Sequence, residues 1–362
     1  MDSVVTPMVT VKPERKTGID LLKLLSVIFI PLLHFCSYYF VDESSQVKFF
    51  IMHLIRWIAF AGVGMFMTIS GYLYAKKDFN KKYFLNILKF VFTFLVFCVF
   101  TTACLHEGNM AWNSVRFYFL DFQGYFWFVN YWISMLFFIP FINKAVQGLS
   151  KSQYFLLLGA LIFFISLPTA AAQMNDIWQF KLLLPDYWTA DLFPVIFTVL
   201  GAGFSKFNFK VNKLVLLGLF IGAPVLNTVL DIIYCKKYLS PFGLHLYVFN
   251  TYSNPLSILL IFALFGLLYD LKLPKTFAKV SKYISSISFE MYLALMVTDR
   301  VAGKMVEKVT VNSYILKGLA WVITEFVVSL AIAVVFHYLI MLIIAGVKRI
   351  WRKIPFDTLL DE

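Results

Sequence analysis

Residues 17–35 read TGIDLLKLLSVIFIPLLHF, an apolar stretch with a lysine near its start and a histidine near its end. About 20 predominantly apolar residues suffice for a helix to cross the hydrocarbon core of a bilayer. Lys23 and His34 are separated by about three helical turns, or about 16 Å, so both side chains lie on nearly the same face of that helix. The stretch therefore predicts a membrane-spanning helix with two ionisable groups at different depths.

The rest of the chain has the same apolar character. Of its 362 residues, 60% are hydrophobic and only 14% are charged, whereas a soluble domain carries roughly 25% charged residues. The apolar segments are long and the charges cluster between them, unlike the period-two strands of an outer-membrane barrel. The sequence predicts an all-α, polytopic bundle of about ten transmembrane helices, at approximately 19–41, 50–75, 83–104, 125–143, 153–171, 190–205, 213–234, 251–269, 285–303 and 318–347.

The basic residues set the expected orientation. Most of the 32 lysines and arginines fall on one side of this ten-span arrangement if the N-terminus is cytoplasmic, which is the positive-inside pattern. Both termini are then cytoplasmic. The net charge of +12 is explained by this bias and by contact with membrane lipid, so no nucleic-acid partner is expected. We divide the chain into a basic cytoplasmic N-terminus (1–17), one transmembrane domain (18–347) and a cytoplasmic tail (348–362).

His34 and Lys23 are the most informative polar residues, because an ionisable group inside a bilayer is costly unless it has a partner or a task. Each residue also has a purely structural interpretation. His34 would then be a hydrogen-bonded histidine that serves packing, and Lys23 would extend its side chain to the lipid phosphates. Thr17 and Asp20 at the start of the same span have the spacing of a helix-capping pair.

A second polar stripe begins the third span. Lys82, Asn86 and Lys89 are spaced by four and then three residues, which places them on one helix face. They either anchor the cytoplasmic end of the helix or bind the phosphates of a donor such as coenzyme A.

Other polar or aromatic residues are candidates for contacts with an acceptor or with a reacting carbonyl group. Arg56 and Glu325 lie inside predicted spans, and each is expected to face the bundle interior or water. Asp299 and Arg300 either pair locally or end the ninth span. The outer segments 105–124, 172–190 and 236–250 are rich in aromatic residues, which belong to an interfacial belt or to a surface that stacks on sugars. The candidates for such contacts are Arg56, Ser70, Trp127 and Glu325.

No metal site is expected from the sequence. It contains no HExxH, no CxxC and no cluster of acidic residues in sequence, which are the patterns that predict metal ligands.

Several segments, in order along the chain, are similar to the membrane acyltransferase 3 family. The first span resembles the opening of that family, in which a basic residue is followed by ten residues and then by a histidine, here Lys23 and His34. MFMTISGYLYAKK (65–77) and GYFWFVNYWISMLFFIPFIN (124–143) resemble the family's second and fourth spans. YSNPLSILLIFALFGLLYDLK (252–272) and SKYISSISFEMYLALM (281–296) resemble its eighth and ninth. The residues that carry these later matches are Phe66, Ser70, Gly71, Trp127, Phe128, Pro140, Asn143, Pro255, Phe265, Ser288, Phe289, Tyr292 and Leu293.

The resemblance implies transfer of an acyl group, most simply acetyl, from acyl-CoA as co-substrate to a hydroxyl of a cell-surface polysaccharide or its lipid-linked precursor. It implies no tightly bound cofactor. Within the family, the motif sequences of this chain are most similar to those of bacterial capsule and exopolysaccharide enzymes of the plasma membrane. His34 is then the catalytic residue, as a general base or as the carrier of the acyl group. Lys23, Lys82, Asn86 and Lys89 bind the donor.

The chain departs from the family pattern at two places. The family often begins its third span with Arg-x-x-Arg, where this chain has Asn86 and Lys89. Its ninth span often contains a glycine and a histidine, where this chain has Glu290 and Leu295. These departures point to altered donor or acceptor contacts. The alternative functions are a transporter or flippase, which would also use intramembrane ionisable groups, and a glycan polymerase, which would have a larger outer loop.

The orientation can be tested by cysteine labelling. Lys77 and Lys279 fall in predicted cytoplasmic segments, so a single cysteine at either position in a cysteine-free background should not react with an impermeant thiol reagent added to intact cells. Both should react after permeabilisation. Labelling of either in intact cells would contradict the orientation.

Overall fold

The described part of the chain is helical. The computed structural model describes residues 15–38, 46–105, 112–122, 124–168, 192–238, 252–310 and 313–351, and none of these is in a β-strand. The helices are α1 (Thr17–Tyr38), α2 (Gln46–Ala59), α3 (Ala61–Tyr74), α4 (Lys81–Leu105), α5 (Trp112–Phe119), α6 (Trp127–Gly148), α7 (Lys151–Leu161), α8 (Phe193–Phe207), α9 (Lys213–Tyr238), α10 (Pro255–Leu268), α11 (Lys275–Ser286), α12 (Ser288–Glu307) and α13 (Tyr314–Trp351).

The predicted all-α, polytopic membrane fold is confirmed. Within the described residues, six helical stretches are long and apolar enough to cross a membrane: Thr17–Tyr38, Phe49–Tyr74, Lys81–Leu105, Gly124–Gly148, Lys213–Ile233 and Tyr314–Val347. Three shorter apolar helices, Lys151–Ser166, Phe193–Phe207 and Pro255–Leu268, coincide with further predicted spans. The total number of spans and the side on which the termini lie stay predictions.

Three helices differ in detail from the predicted spans. The second predicted span is divided at Phe60, where α2 ends and α3 begins, because apolar residues on both sides of a turn look continuous in sequence. The ninth predicted span begins only at Ser288, after the separate amphipathic helix α11. The last helix has 38 residues and is about 57 Å long, so it extends well beyond a hydrocarbon core of about 30 Å.

Some expectations fall on residues outside the described ranges. These are most of the N-terminal segment 1–17, the tail beyond residue 351, and the aromatic and histidine residues of the outer segments at Trp178, Tyr187, Trp188, His245 and Tyr247.

The beginning of α1 is attached to the loop that follows α10. The Lys16 ammonium lies 2.5 Å from the Asp270 carboxylate. The Thr17 hydroxyl donates to the carbonyl oxygen of Leu271 and accepts from the amide of Leu273, while Asp20 pairs with Arg15. Asp20 thus has its partner just before α1, and Thr17 has its partners in the loop after α10. These contacts position the beginning of α1 against that loop.

The backbones of α3 and α8 are in direct contact. An ideal Cβ built on Gly71 would lie 2.2 Å from the carbonyl oxygen of Thr198, and one on Gly201 would lie 1.9 Å from the carbonyl oxygen of Thr68. Glycine is required at both positions because any side chain would collide with backbone. In lipid, where apolar side chains gain little by leaving the solvent, such close backbone approach is a main source of helix association.

We predict that Gly201→Ala destabilises the fold. Forcing a methyl group into this contact should cost about 1–3 kcal/mol or more, which outweighs the gain of about 1 kcal/mol in helix propensity over glycine. The measurement is the thermal unfolding midpoint of the purified protein in detergent. Gly218→Ala in α9 is the matched control, because nothing lies within 4 Å of its Cβ position, and its midpoint should stay or rise. Equal midpoints for the two variants would contradict the prediction.

Candidate active site

His34 lies in the last turns of α1, shortly after Pro31, and it faces α12. Its side chain is 14% exposed, and its Nδ1 lies 3.4 Å from Oδ1 of Asp299. The two groups are close without the alignment of a hydrogen bond, which is common in the absence of substrate. A carboxylate beside one ring nitrogen of a histidine orients the imidazole and stabilises its protonated form.

Tyr125 holds both members of this pair. Its ring stacks on the His34 imidazole, with the ring centroids 3.9 Å apart and an angle of 18° between the planes. Its hydroxyl donates to Oδ2 of Asp299 and lies 2.5 Å from the hydroxyl of Tyr38. Tyr292 in turn donates its hydroxyl proton to the backbone carbonyl oxygen of Tyr125. The imidazole and the carboxylate are therefore positioned by neighbouring aromatic residues.

Glu325 of α13 completes a buried cluster with His34 and Asp299. One ligand-type atom from each of the three residues lies within 4.8 Å of those of the other two, and Glu325 is fully buried. Histidine and carboxylate side chains are ligands of divalent cations. The sequence patterns did not predict this combination, because its members come from three different helices, α1, α12 and α13.

A cavity of 320 Å³ is lined in part by Tyr292, which contacts Tyr125 next to His34. Tyr292 and Phe128 belong to its lining, so the cavity is separated from His34 by Tyr292 and Tyr125. The lining also includes cations and hydroxyl groups, namely Arg15, Lys23, Lys89, Ser70, Ser285, Ser286 and Ser288. A cavity with these groups can bind an anionic ligand whose chain carries amides or hydroxyls.

The basic residues of the cavity come from separate parts of the chain. Arg15 precedes α1, and the hydrogen bond from its guanidinium to Asp20 raises the pKa of Arg15 despite its partial burial. Lys23 is on α1, and Lys89 is on α4 with its ammonium group 3.5 Å from the sulfur of Met341. Lys23 and Lys89, which the sequence analysis named as donor-binding residues on two different helices, therefore line the same cavity.

The other donor residues from the sequence are not in this cavity. Lys82 and Asn86 are exposed on α4 and do not belong to the lining. All three residues share one face of α4, but Lys82 and Asn86 lie nearer the beginning of the helix, outside the cavity.

The four residues proposed for acceptor or carbonyl contacts are dispersed. Ser70 lines the cavity and accepts a hydrogen bond of 3.0 Å from the Trp132 indole. Trp127 stacks on Tyr252 with the ring centroids 5.4 Å apart. Glu325 joins His34, as described above.

Arg56 is buried on α2, with its guanidinium carbon 5.8 Å and 5.6 Å from the ring centroids of Trp57 and Phe60. On the same helix, His53 and Trp57 both contact the buried carboxylate of Asp231, at 3.2 Å and 2.7 Å. Arg56 thus belongs to a polar region between α2 and α9 rather than to the cavity wall.

The departure from the family pattern at Glu290 has a structural counterpart. Glu290 lines the cavity, and its Oε1 lies 2.9 Å from Nδ1 of His337 on α13. Leu295, at the position of the family's histidine, is buried among apolar residues. An imidazole is therefore present near this part of the cavity, but it comes from a different helix.

Sequence reasoning missed Asp299 and Tyr125 as site residues. Asp299 was expected to pair with Arg300 or to end a span, whereas it faces His34 and Arg300 is exposed. One signal was present: Tyr292 and Asp299 are about two helical turns apart, so they share a helix face. Tyr125, beside Gly124 at the beginning of a predicted span, resembled an interfacial aromatic residue.

Comparison with protein-family models gives a match over residues 16–345, to the family described as "Acyltransferase domain". The chain belongs to this acyltransferase family. No curated protein and no solved structure gave a match in the corresponding comparisons. The match covers α1 to most of α13, and therefore includes the His34 cluster and every lining residue of the cavity except Arg15. The protein is a membrane acyltransferase, and the transporter and polymerase alternatives lose their support.

Proposed function

We propose that this acyltransferase moves an acyl group, most simply acetyl, from acyl-CoA to a hydroxyl of a bacterial cell-surface polysaccharide or its lipid-linked precursor. The observation that carries the proposal is the His34–Asp299 pair beside a cavity with cationic walls. Acyl transfer to a hydroxyl needs a base for the hydroxyl proton and a site for an anionic donor, and these two features can supply them.

The donor would occupy the cavity from its cytoplasmic end. Arg15, Lys23 and Lys89 would face the phosphates of coenzyme A, and the serines would meet the amides of the pantetheine arm. The distance along α1 from Lys23 to His34, about 16 Å, is similar to the reach of an extended pantetheine. For the thioester to meet His34, the contact between Tyr292 and Tyr125 would have to open.

His34 would act as the general base. Asp299 is beside Nδ1, which leaves Nε2 for the acceptor hydroxyl. As the hydroxyl oxygen attacks the thioester carbonyl carbon, its proton passes to Nε2, and Asp299 stabilises the imidazolium that forms. The imidazolium then protonates the departing thiolate.

We predict that His34→Gln lowers glycan acylation by about 10²–10⁴-fold, the usual contribution of a general base. An amide retains one donor and one acceptor for packing, so the variant should reach the membrane at normal abundance and still bind the donor. The measurement is the mass of the surface glycan, which should decrease by one acyl substituent per repeat. A stable variant with full activity would contradict the catalytic role. His34→Asn provides a second test if the glutamine variant does not accumulate.

The donor site gives a separate prediction. Lys89→Glu should raise the apparent KM for acyl-CoA by about tenfold or more, because it removes a charge-assisted hydrogen bond worth about 1.5–3 kcal/mol and adds a repelling charge. The KM for the acceptor should change little. Lys82→Glu is the matched control, since it makes the same charge change on the same helix outside the cavity. Equal effects of the two variants would indicate a general effect of surface charge.

A further inference from the structure

Glu325 is a buried carboxyl group whose two oxygens have no hydrogen-bond partner among the described residues. Its side chain is 0% exposed. One of its oxygens is within 4.8 Å of ligand-type atoms of His34 and Asp299. Of the two carboxyl groups of the cluster, only Asp299 has partners to stabilise a negative charge, namely the His34 imidazole and the Tyr125 hydroxyl.

An ionised Glu325 would be unfavourable in this position. A buried charge without a cation or hydrogen-bond donor costs several kcal/mol, and a second carboxylate within 4.8 Å adds repulsion. When two carboxyl groups share a site, one of them is held in its neutral form. Asp299 has the partners for the ionised form, so Glu325 is the member of the pair that keeps a proton. Its O–H group then has no acceptor among the described residues.

The reaction proposed above needs a hydrogen-bond donor near His34. When the acceptor hydroxyl attacks a thioester, negative charge develops on the carbonyl oxygen, and enzymes stabilise it with donors that are already in place. Three aromatic donors of this region are engaged elsewhere: Tyr125 donates to Asp299, Tyr292 to the Tyr125 carbonyl oxygen, and the Trp132 indole to Ser70.

We propose that Glu325, as an uncharged carboxylic acid, is a further catalytic residue that donates a hydrogen bond to the thioester carbonyl oxygen. This proposal rests on the proposed acyl transfer. A carboxylic acid kept neutral by an apolar site is an established kind of oxyanion donor. A carboxyl oxygen of Glu325 lies within 4.8 Å of ligand-type atoms of His34 and Asp299, so a carbonyl group that reaches the His34 imidazole also comes close to the Glu325 carboxyl group.

The step balances without any further reactant. The acceptor oxygen forms a bond to the carbonyl carbon, its proton passes to His34, and the carbonyl electron pair moves to the oxygen that Glu325 contacts. When the C=O bond forms again, the C–S bond breaks and the thiolate takes the proton from the imidazolium. Glu325 donates a hydrogen bond throughout and keeps its proton.

The test compares Glu325→Gln with Glu325→Leu in the full-length protein. Glutamine keeps an N–H donor without a charge, whereas leucine fills similar space without a donor. With acetyl-CoA and isolated surface glycan as substrates, Glu325→Leu should lower kcat by about 10²–10³-fold, the usual effect of losing one oxyanion donor. Glu325→Gln should lose about tenfold, since an amide is a weaker donor than a carboxylic acid. Binding of acetyl-CoA should stay unchanged in both variants.

Infrared difference spectroscopy of wild type against Glu325→Gln provides an independent readout. The wild type should show the C=O stretch of a protonated carboxyl group, and the variant should lack it. Absence of that band from the wild type would overturn the proposal even if Glu325→Leu fails to accumulate.

Two kinetic results would also overturn it. Full activity of Glu325→Leu would remove the catalytic role. An equal, large loss in both variants would show that an ionised carboxylate is needed, for binding either a cation or the acceptor. Failure of the proposed function itself would look different, because wild-type protein would then transfer no acetyl group, or His34→Gln would be as active as the wild type.

Discussion

The contact between His34 and Asp299 is the interaction on which the arrangement of the site depends. A histidine and an aspartate are costly inside a membrane protein unless each satisfies the other, so the pair requires α1 and α12 to meet at one depth. Tyr125 adds its ring to one partner and its hydroxyl to the other, which attaches the beginning of the fourth span to the same point. Glu325 brings α13 to it as well. Four segments that are distant in sequence thus converge on one buried polar centre.

Much of the fold could be predicted from the sequence because lipid imposes a simple rule. Backbone groups in hydrocarbon must be satisfied within their own segment, so long apolar runs become helices. The break at Phe60 was not predictable, because apolar residues flank it on both sides and Phe60 itself keeps helical backbone angles. The last span was predicted to be long, at 318–347, and α13 extends it by four residues at each end, because its flanks are also compatible with a helix.

The site was only partly predictable, since spacing along one helix is visible in sequence but contact between helices is not. Lys23 and His34 share a face of α1, and the family resemblance supported both. Asp299 could not be paired with His34, because nothing in sequence aligns the rotation of α12 with that of α1. The same limit explains Lys82 and Asn86: their spacing from Lys89 was read correctly as helical, but the position of the cavity depends on neighbouring helices.

The tight contact between α3 and α8 fixes the position of one wall of the cavity. Gly71 and Gly201 leave no clearance between the two backbones, so α3 and α8 are packed as one rigid unit. Ser70, which lines the cavity, is the immediate neighbour of Gly71 and belongs to this rigid unit. Lys89 on α4 and Glu290 on α12 line another part of the cavity, and their side chains contact Met341 and His337 of α13. The wall that carries Ser70 is thus held in place by α8, and Ser70 offers a hydroxyl group at a fixed position in the cavity.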